Sequence, residues 1–181
     1  EETEIGPLIS VAHRDRLAGI LERAKGRAAV REVIVPHAPG ATDRPWERAG
    51  AYWAPRIVCC EDPADVVVRE EMMGPVLVVQ RAGEFAQALA LANGVRQGLA
   101  AALFSDRKEL QERFREEAQA GIVKINASTA GVDVALPFGG WKASGIGPPE
   151  HGEGDRLFYT RMQAVYEEAS RDGRCRIDGR Q

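Results

Sequence analysis

After Ser10, apolar side chains recur at Leu17, Ile20, Leu21 and Ala24, while Arg14, Asp15, Arg16, Glu22, Arg23 and Lys25 fill the other face. That spacing predicts an amphipathic helix, and the Ser10 hydroxyl can cap its first turn. Val30 to Val35 is a short β-rich run stopped by Pro36. The segment from His37 to Gly50 carries Pro39, Gly40, Asp43 and Pro45 and reads as a loop. Tyr52 to Cys60 is extended again, with Asp62-Pro63 as its turn.

Beyond that point strands and helices alternate. Pro75 to Gln80 is an apolar strand, and Phe85, Leu89 and Leu91 sit in a helix ended by Gly98. Leu99 to Ser105 is a second apolar strand, and Asp106 stands to cap a charged helix through Ala120, anchored inward by Leu110 and Phe114. Ile122 to Ile125 is a third strand, ending at Asn126. Strands apolar on both faces and separated by helices predict an α/β fold with a parallel sheet. Ligands in such sheets lie beyond the carboxyl ends of the strands. That draws attention to Ala127–Gly147, a long Gly-rich stretch without periodicity. Its Val132, Val134, Leu136, Phe138 and Trp141 argue for burial rather than disorder. A last helix is expected from Pro148 or Pro149, with Glu150 in its first turn, then an extended Phe158–Glu167 and a polar, frayed tail from Ser170.

Composition narrows the function classes. The 181 residues are 44% hydrophobic and 28% charged with a net charge of −3. This suits one compact domain, or one domain plus an arm. There is no basic excess to draw nucleic acid or an anionic membrane, and no apolar run near the roughly 18 residues of a membrane span. Three cysteines, two of them adjacent, do not make a disulfide scaffold, so a reducing, cytoplasmic setting is expected. The chain opens on Glu1 without an initiator Met and without a visible secretory leader, which raises the expectation of a piece of something longer.

Few residues offer chemistry by themselves. His13, His37 and His151 lack partners at metal-ligand spacing, so they read as structural or solvated, and no metal site is expected. Cys59 and Cys60 lie in a strand and point to opposite faces, with Glu61 and Asp62 after them to raise a thiol pKa. Both read as structural, and Cys175 as an exposed tail thiol. The Gly139–Gly147 stretch fits neither the Walker A nor the dinucleotide-loop spacing. It reads as a tight glycine-enabled loop passing under something larger, not as an independent nucleotide site. Glu70 and Glu71 stand at the entry of an apolar strand before Gly74-Pro75. They are either a solvated edge or an acceptor for a diol such as a ribose.

The motifs taken together resemble the NAD(P)-dependent aldehyde dehydrogenases. The match runs through Gly6-Pro7-Leu8-Ile9, Glu70-Glu71-Met72-Met73-Gly74-Pro75-Val76, Leu91-Ala92-Asn93, Gly98–Phe104 and Ala120–Asn126. It closes with Leu136–Gly145 and Phe158-Tyr159-Thr160, in the family's order and over nearly the whole chain. In that family a Rossmann-like domain, the nucleophilic cysteine and the glutamate general base precede the Gly-Pro-Leu-Ile motif. The resemblance therefore implies a parallel-sheet catalytic-domain fragment with a C-terminal oligomerisation strand, the Rossmann half being absent. Residues 1–157 would be the C-terminal part of the catalytic domain, 158–168 the oligomerisation strand, and 169–181 a flexible tail.

Site roles follow residue by residue from the same resemblance. Glu71 matches the acid that binds the nicotinamide ribose hydroxyls of NAD or NADP. Met73 stands where the family usually places Phe against the nicotinamide, a softer contact. Asn126 and Phe138 match walls of the substrate channel. Glu150 matches a carboxylate that passes protons near the active site, although Pro148-Pro149 replaces the usual Gly-Arg before it. Lys142 would secure its loop by hydrogen bonds. The Asn126–Asp133 string, with Pro148 and Glu150-His151-Gly152, resembles the 2-oxoglutarate semialdehyde dehydrogenase branch, which oxidises an acidic semialdehyde.

The complete enzyme would turn an aldehyde into a carboxylic acid through a thiohemiacetal, hydride transfer and thioester hydrolysis. Its expected partners are a small-molecule aldehyde and further copies of itself, as a dimer or tetramer. The alternative is a non-catalytic assembly module that adds its C-terminal strand to a partner sheet. Separation from the Rossmann half would expose apolar surface in either case.

Overall fold

The computed structural model describes residues 5–27, 29–34 and 50–166. The expected loop from His37, the tail from Ser170 and Cys175 lie outside the described residues.

Helix α1 (Val11–Lys25) forms where the periodicity places it, and the Ser10 Oγ accepts the His13 N–H at 3.1 Å. Arg23 and Lys25 lie in its last turn, where cations complement the helix dipole. Its buried stripe, Leu17, Ile20, Leu21 and Ala24, packs on β2 (Arg56–Cys60) through Val58 and Cys60, and on Val67 of the short α2 (Val66–Arg69). The sheet beneath has the order β1 (Val30–Ile34), β2, β3 (Val76–Val79). The β1–β2 pair is antiparallel and the β2–β3 pair parallel, with α2 in the crossover. Asp65 fastens this unit. It caps the Val67 N–H at 2.9 Å and takes both arms of the Arg27 guanidinium at 2.6 and 2.7 Å.

A second unit holds β4 (Ala100–Leu103) and β5 (Ile122–Ile125), which are parallel and in register from Ala100–Ile122 to Leu103–Ile125. Helix α3 (Phe85–Asn93) and helix α4 (Lys108–Glu117) pack Leu89, Phe114 and the following Ala118 against Ala101, Leu103, Val123 and Ile125. The Asn93 side chain closes the end of α4, accepting from Gln119 N–H and donating to the Glu117 carbonyl, both at 2.9 Å.

The structure corrects several expectations. Helix α3 ends at Asn93 with Gly94 as its cap, not at Gly98, whose N–H and carbonyl bond Ser144 and Trp141 instead. The strands do not form one sheet: β3 pairs with β2, and β4–β5 make a separate ladder. An apolar strand predicts burial without naming its neighbour, and the α2 crossover delivers β3 beside β2. Asp106 does not cap α4; the helix starts at Lys108 and ends at Glu117, with the Ser105 Oγ accepting from Arg107 N–H at 3.2 Å. No helix starts at Pro148 or Pro149. The second proline drives Pro148 towards extended backbone, Glu150 forms a β-bridge with Phe138, and His151 and Gly152 turn the chain with positive φ. Helix α5 follows over Gly154–Tyr159 and takes up Phe158 and Tyr159, which the sequence placed in a strand. Residues 160–166 have no ladder partner among the described residues, and 167 onwards lies outside them. No described helix is long and apolar enough to cross a membrane.

Candidate functional site

The turn between α2 and β3 sets out the first group of residues. The Glu70 N–H closes α2 on the Val66 carbonyl at 2.9 Å. Met72 points inward and is 7% exposed, whereas Met73 is 69% exposed with φ +51°. A non-glycine residue in that left-handed region costs about 1–3 kcal/mol and persists only where surroundings impose it. Three contacts impose it here. Met72 is fixed in the core of the first unit. The Met73 carbonyl lies 3.0 Å from His13 Nε2 of α1. Gly74 packs closely under α1: a Cβ there would stand 2.6 Å from Leu17 Cδ1 and 3.2 Å from Leu8 Cδ2, so a larger residue would push those side chains aside. The Glu71 side chain is left exposed, with no described residue bonded to its carboxylate.

Asn126 ends β5 with φ +54°. Its Oδ1 accepts from Ser105 N–H at 2.8 Å and its Nδ2 donates to the Ser105 carbonyl at 3.1 Å. The carboxamide therefore joins the carboxyl ends of β4 and β5, with one Nδ2 hydrogen and part of Oδ1 left over.

Beside β5 lies a groove of about 710 Å³ lined by Ile122, Val123, Lys124, Ala130–Asp133 and Leu136–Phe138. Lys124 Nζ crosses it to donate to the carbonyls of Ala130 and Gly131 at 2.7 and 2.6 Å. Phe138 walls this groove and also a smaller one of about 160 Å³ that includes Glu150. The two residues exchange both backbone hydrogen bonds, Phe138 N–H to Glu150 O at 2.6 Å and Glu150 N–H to Phe138 O at 3.0 Å. The His151 ring lies 5.6 Å from that of Phe138. Contrary to expectation, Val132, Val134, Leu136 and Trp141 are exposed, with no layer above their loop among the described residues.

The loop below the groove is tight. A Cβ at Gly121 would sit 1.7 Å from the Gly139 carbonyl oxygen, and one at Gly140 would sit 2.1 Å from that of Ser144. Ser144 Oγ accepts from Gly98 N–H at 3.0 Å, and Trp141 N–H donates to the Gly98 carbonyl at 2.8 Å. Lys142 secures the loop, donating to Asn93 O at 2.8 Å and Val95 O at 3.1 Å.

The structure thus brings Phe138 and Glu150 together, puts Asn126 at the end of β5, and sets Glu71 and Met73 on the first unit. Cys60 is buried; that burial pushes its thiol up, and the Asp65 and Asp62 carboxylates add to the shift. Sequence reasoning missed His13 as a neighbour of Met73, since sixty positions separate them. The Ser10 cap does place His13 in the first turn of α1, but nothing in the sequence says what that turn faces.

The family model described as "Aldehyde dehydrogenase family" matches residues 1–165. An alpha-ketoglutarate semialdehyde dehydrogenase of Haloferax volcanii is 32% identical over 170 residues, covering 91% of this chain and 33% of its own. The mouse (Mus musculus) 4-trimethylaminobutyraldehyde dehydrogenase is 35% identical over 170 residues, with the same 91% and 33% shares. Among solved structures, PnpE from Pseudomonas sp. WBC-3 superposes with a TM-score of 0.76 at 30% identity, over 96% of this chain and 35% of that one. The betaine aldehyde dehydrogenase of Staphylococcus aureus in complex with NAD+ gives 0.70 at 30% identity, over 86% and 30%. The chain spans about a third of the length of the curated relatives it matches.

Proposed function

The chain belongs to the aldehyde dehydrogenase family, and on that premise we propose that it is the C-terminal part of an NAD(P)-dependent enzyme oxidising an aldehyde to a carboxylic acid. One observation carries the reading. The Glu71 carboxylate is exposed, unbonded by any described residue, and held beside the projecting Met73 by a backbone turn that α1 enforces. An ionised carboxylate accepts two hydroxyl hydrogen bonds, so Glu71 suits the vicinal diol of a ribose, and Met73 offers an adaptable apolar contact beside it. NAD(P)+, bound mainly by residues outside this chain, supplies the hydride acceptor.

The remaining residues serve the substrate. Asn126 and Phe138 wall its channel, and Glu150 stands by Phe138 as a proton relay. The nucleophile and general base belong to segments outside this chain, so the 181 residues alone would be inactive. The substrate we assign is an acidic semialdehyde. Its support is the Asn126–Asp133 string and the similarity to semialdehyde dehydrogenases, among relatives that also include enzymes for cationic aldehydes.

The test is Glu71→Gln in the whole enzyme. NAD(P)+ should bind about tenfold more weakly, a loss in the range of a hydrogen bond to a charged group. Unchanged cofactor affinity and turnover would sink the reading.

A second reading, an assembly module without catalysis, is favoured by the exposed Met162, Val165 and Tyr166 in the 160–166 stretch, which has no ladder partner among the described residues. An open extended segment invites strand addition from a further copy, as a dimer or tetramer. Assembly without any cofactor binding by the whole protein would favour this reading over the first.

A further inference from the structure

We infer that His13 is a positioning residue for cofactor binding: its imidazole holds the Met73 carbonyl and so presents Glu71 and Met73 to the ribose and nicotinamide. The inference rests on the reading of Glu71 as a ribose ligand.

The argument starts at Ser10. Its hydroxyl caps the His13 N–H and fixes the first turn of α1, so the histidine leaves the helix at a defined place. His13 Nε2 then lies 3.0 Å from the Met73 carbonyl oxygen. A carbonyl only accepts, so Nε2 carries the proton and the ring is the donor. Met73 is in the left-handed region, a conformation that needs outside contacts to persist. Met72 supplies the apolar contact on the core side. His13 supplies the polar one, at the residue whose side chain projects. Without it the Met73 peptide is free to rotate, and the Glu71 carboxylate two residues earlier loses its fixed bearing. The effect is on geometry: His13 touches no reacting atom.

The experiment compares His13→Ala, His13→Asn and His13→Gln with the parent in the whole enzyme. Glutamine can carry an N–H to about the place of Nε2, whereas asparagine is too short. Three quantities are read: the calorimetric Kd for NAD(P)+, the thermal midpoint without cofactor, and amide exchange over residues 71–76. His13→Ala and His13→Asn should weaken cofactor binding about 3- to 10-fold, the span of one hydrogen bond. They should also speed exchange at 71–76. His13→Gln should restore both. A Kd unchanged in His13→Asn overturns the inference. So does a Kd that weakens equally in asparagine and glutamine variants, or that tracks the thermal midpoint with no local change in exchange. If His13→Ala does not fold, the asparagine–glutamine contrast gives the same decision. Glu71→Gln separates the premise: if it leaves Kd unchanged, the ribose assignment falls; if it weakens binding while the His13 variants do not, only the positioning role falls.

Discussion

Asn126 brackets the Ser105 peptide, accepting from its N–H and donating to its carbonyl through one carboxamide. The side chain thus adds a pair of hydrogen bonds just where the β4–β5 ladder ends, and it does so from a left-handed backbone that asparagine tolerates.

Replacing Asn126 by Ala removes both bonds and retains the unfavourable φ. The expected loss is about 1–2 kcal/mol, read by urea unfolding of the purified protein. Asn126→Gly relieves the backbone and should lose less. Equal stability of the two variants would mean that the φ angle carries no cost.

Gly121 and Gly131 make a second contrast. A methyl at Gly121 has nowhere to go, since the Gly139 carbonyl would be 1.7 Å away. Gly121→Ala should cost about 3 kcal/mol or more and dislodge the loop beneath the groove. Gly131 has open space around it but a φ of +79°, so Gly131→Ala should cost only about 1 kcal/mol. Comparable melting temperatures for the two variants would contradict this packing.

Asp65 joins a helix cap to a bidentate ion pair with a side chain that is 4% exposed. Asp65→Ala should destabilise by about 3 kcal/mol, leaving a bare helix end and an unpaired Arg27. Arg27, a third exposed, can turn to water, so Asp65→Asn should be milder because it keeps the cap. Chemical denaturation of both variants measures the difference.

The Cys60 thiol gives a pH dependence. Its pKa is raised in the fold, chiefly by burial. A raised folded pKa contributes stability that is complete below the unfolded thiol pKa, about 8.5, and is lost as pH climbs through the folded value. Cys60→Ala should therefore flatten the fall of stability above that pH. In peptide-mapped alkylation at pH 8, the half-buried Cys59 should label well before Cys60. Labelling of Cys60 at the rate of Cys59 in folded protein would contradict its burial.

Local chemistry was legible in the chain, and tertiary choices were not. Ser10, Leu17, Ile20, Leu21 and Ala24 announce α1 because cap and stripe are encoded within fifteen residues. The Gly139–Gly145 loop announced its tightness because only glycine tolerates such approach. The partner of β3 was hidden, since Val76–Val79 reads the same beside any apolar strand. Val134, Leu136 and Trp141 signalled burial, yet among the described residues nothing covers them, because apolar character asks for a neighbouring layer without saying where it lies. The start of α5 was misread because Pro148-Pro149 resembles a helix entry, although the second proline forbids the first a helical backbone. The pairing of His13 with Met73 depends on how α1 lies over the α2–β3 turn, which no local spacing records.

Met72 and Met73 are neighbours on opposite sides of one peptide, the first inside the core and the second in the open. On the proposed reading, stability and cofactor recognition therefore draw on the same few atoms. A variant chosen for tighter packing at Leu8, Leu17 or Met72 should also shift Glu71, and, on the proposed reading, a change of cofactor preference sought at Glu71 or Met73 is answerable to the core. Libraries seeking altered function in this region need to vary both sides of the turn at once.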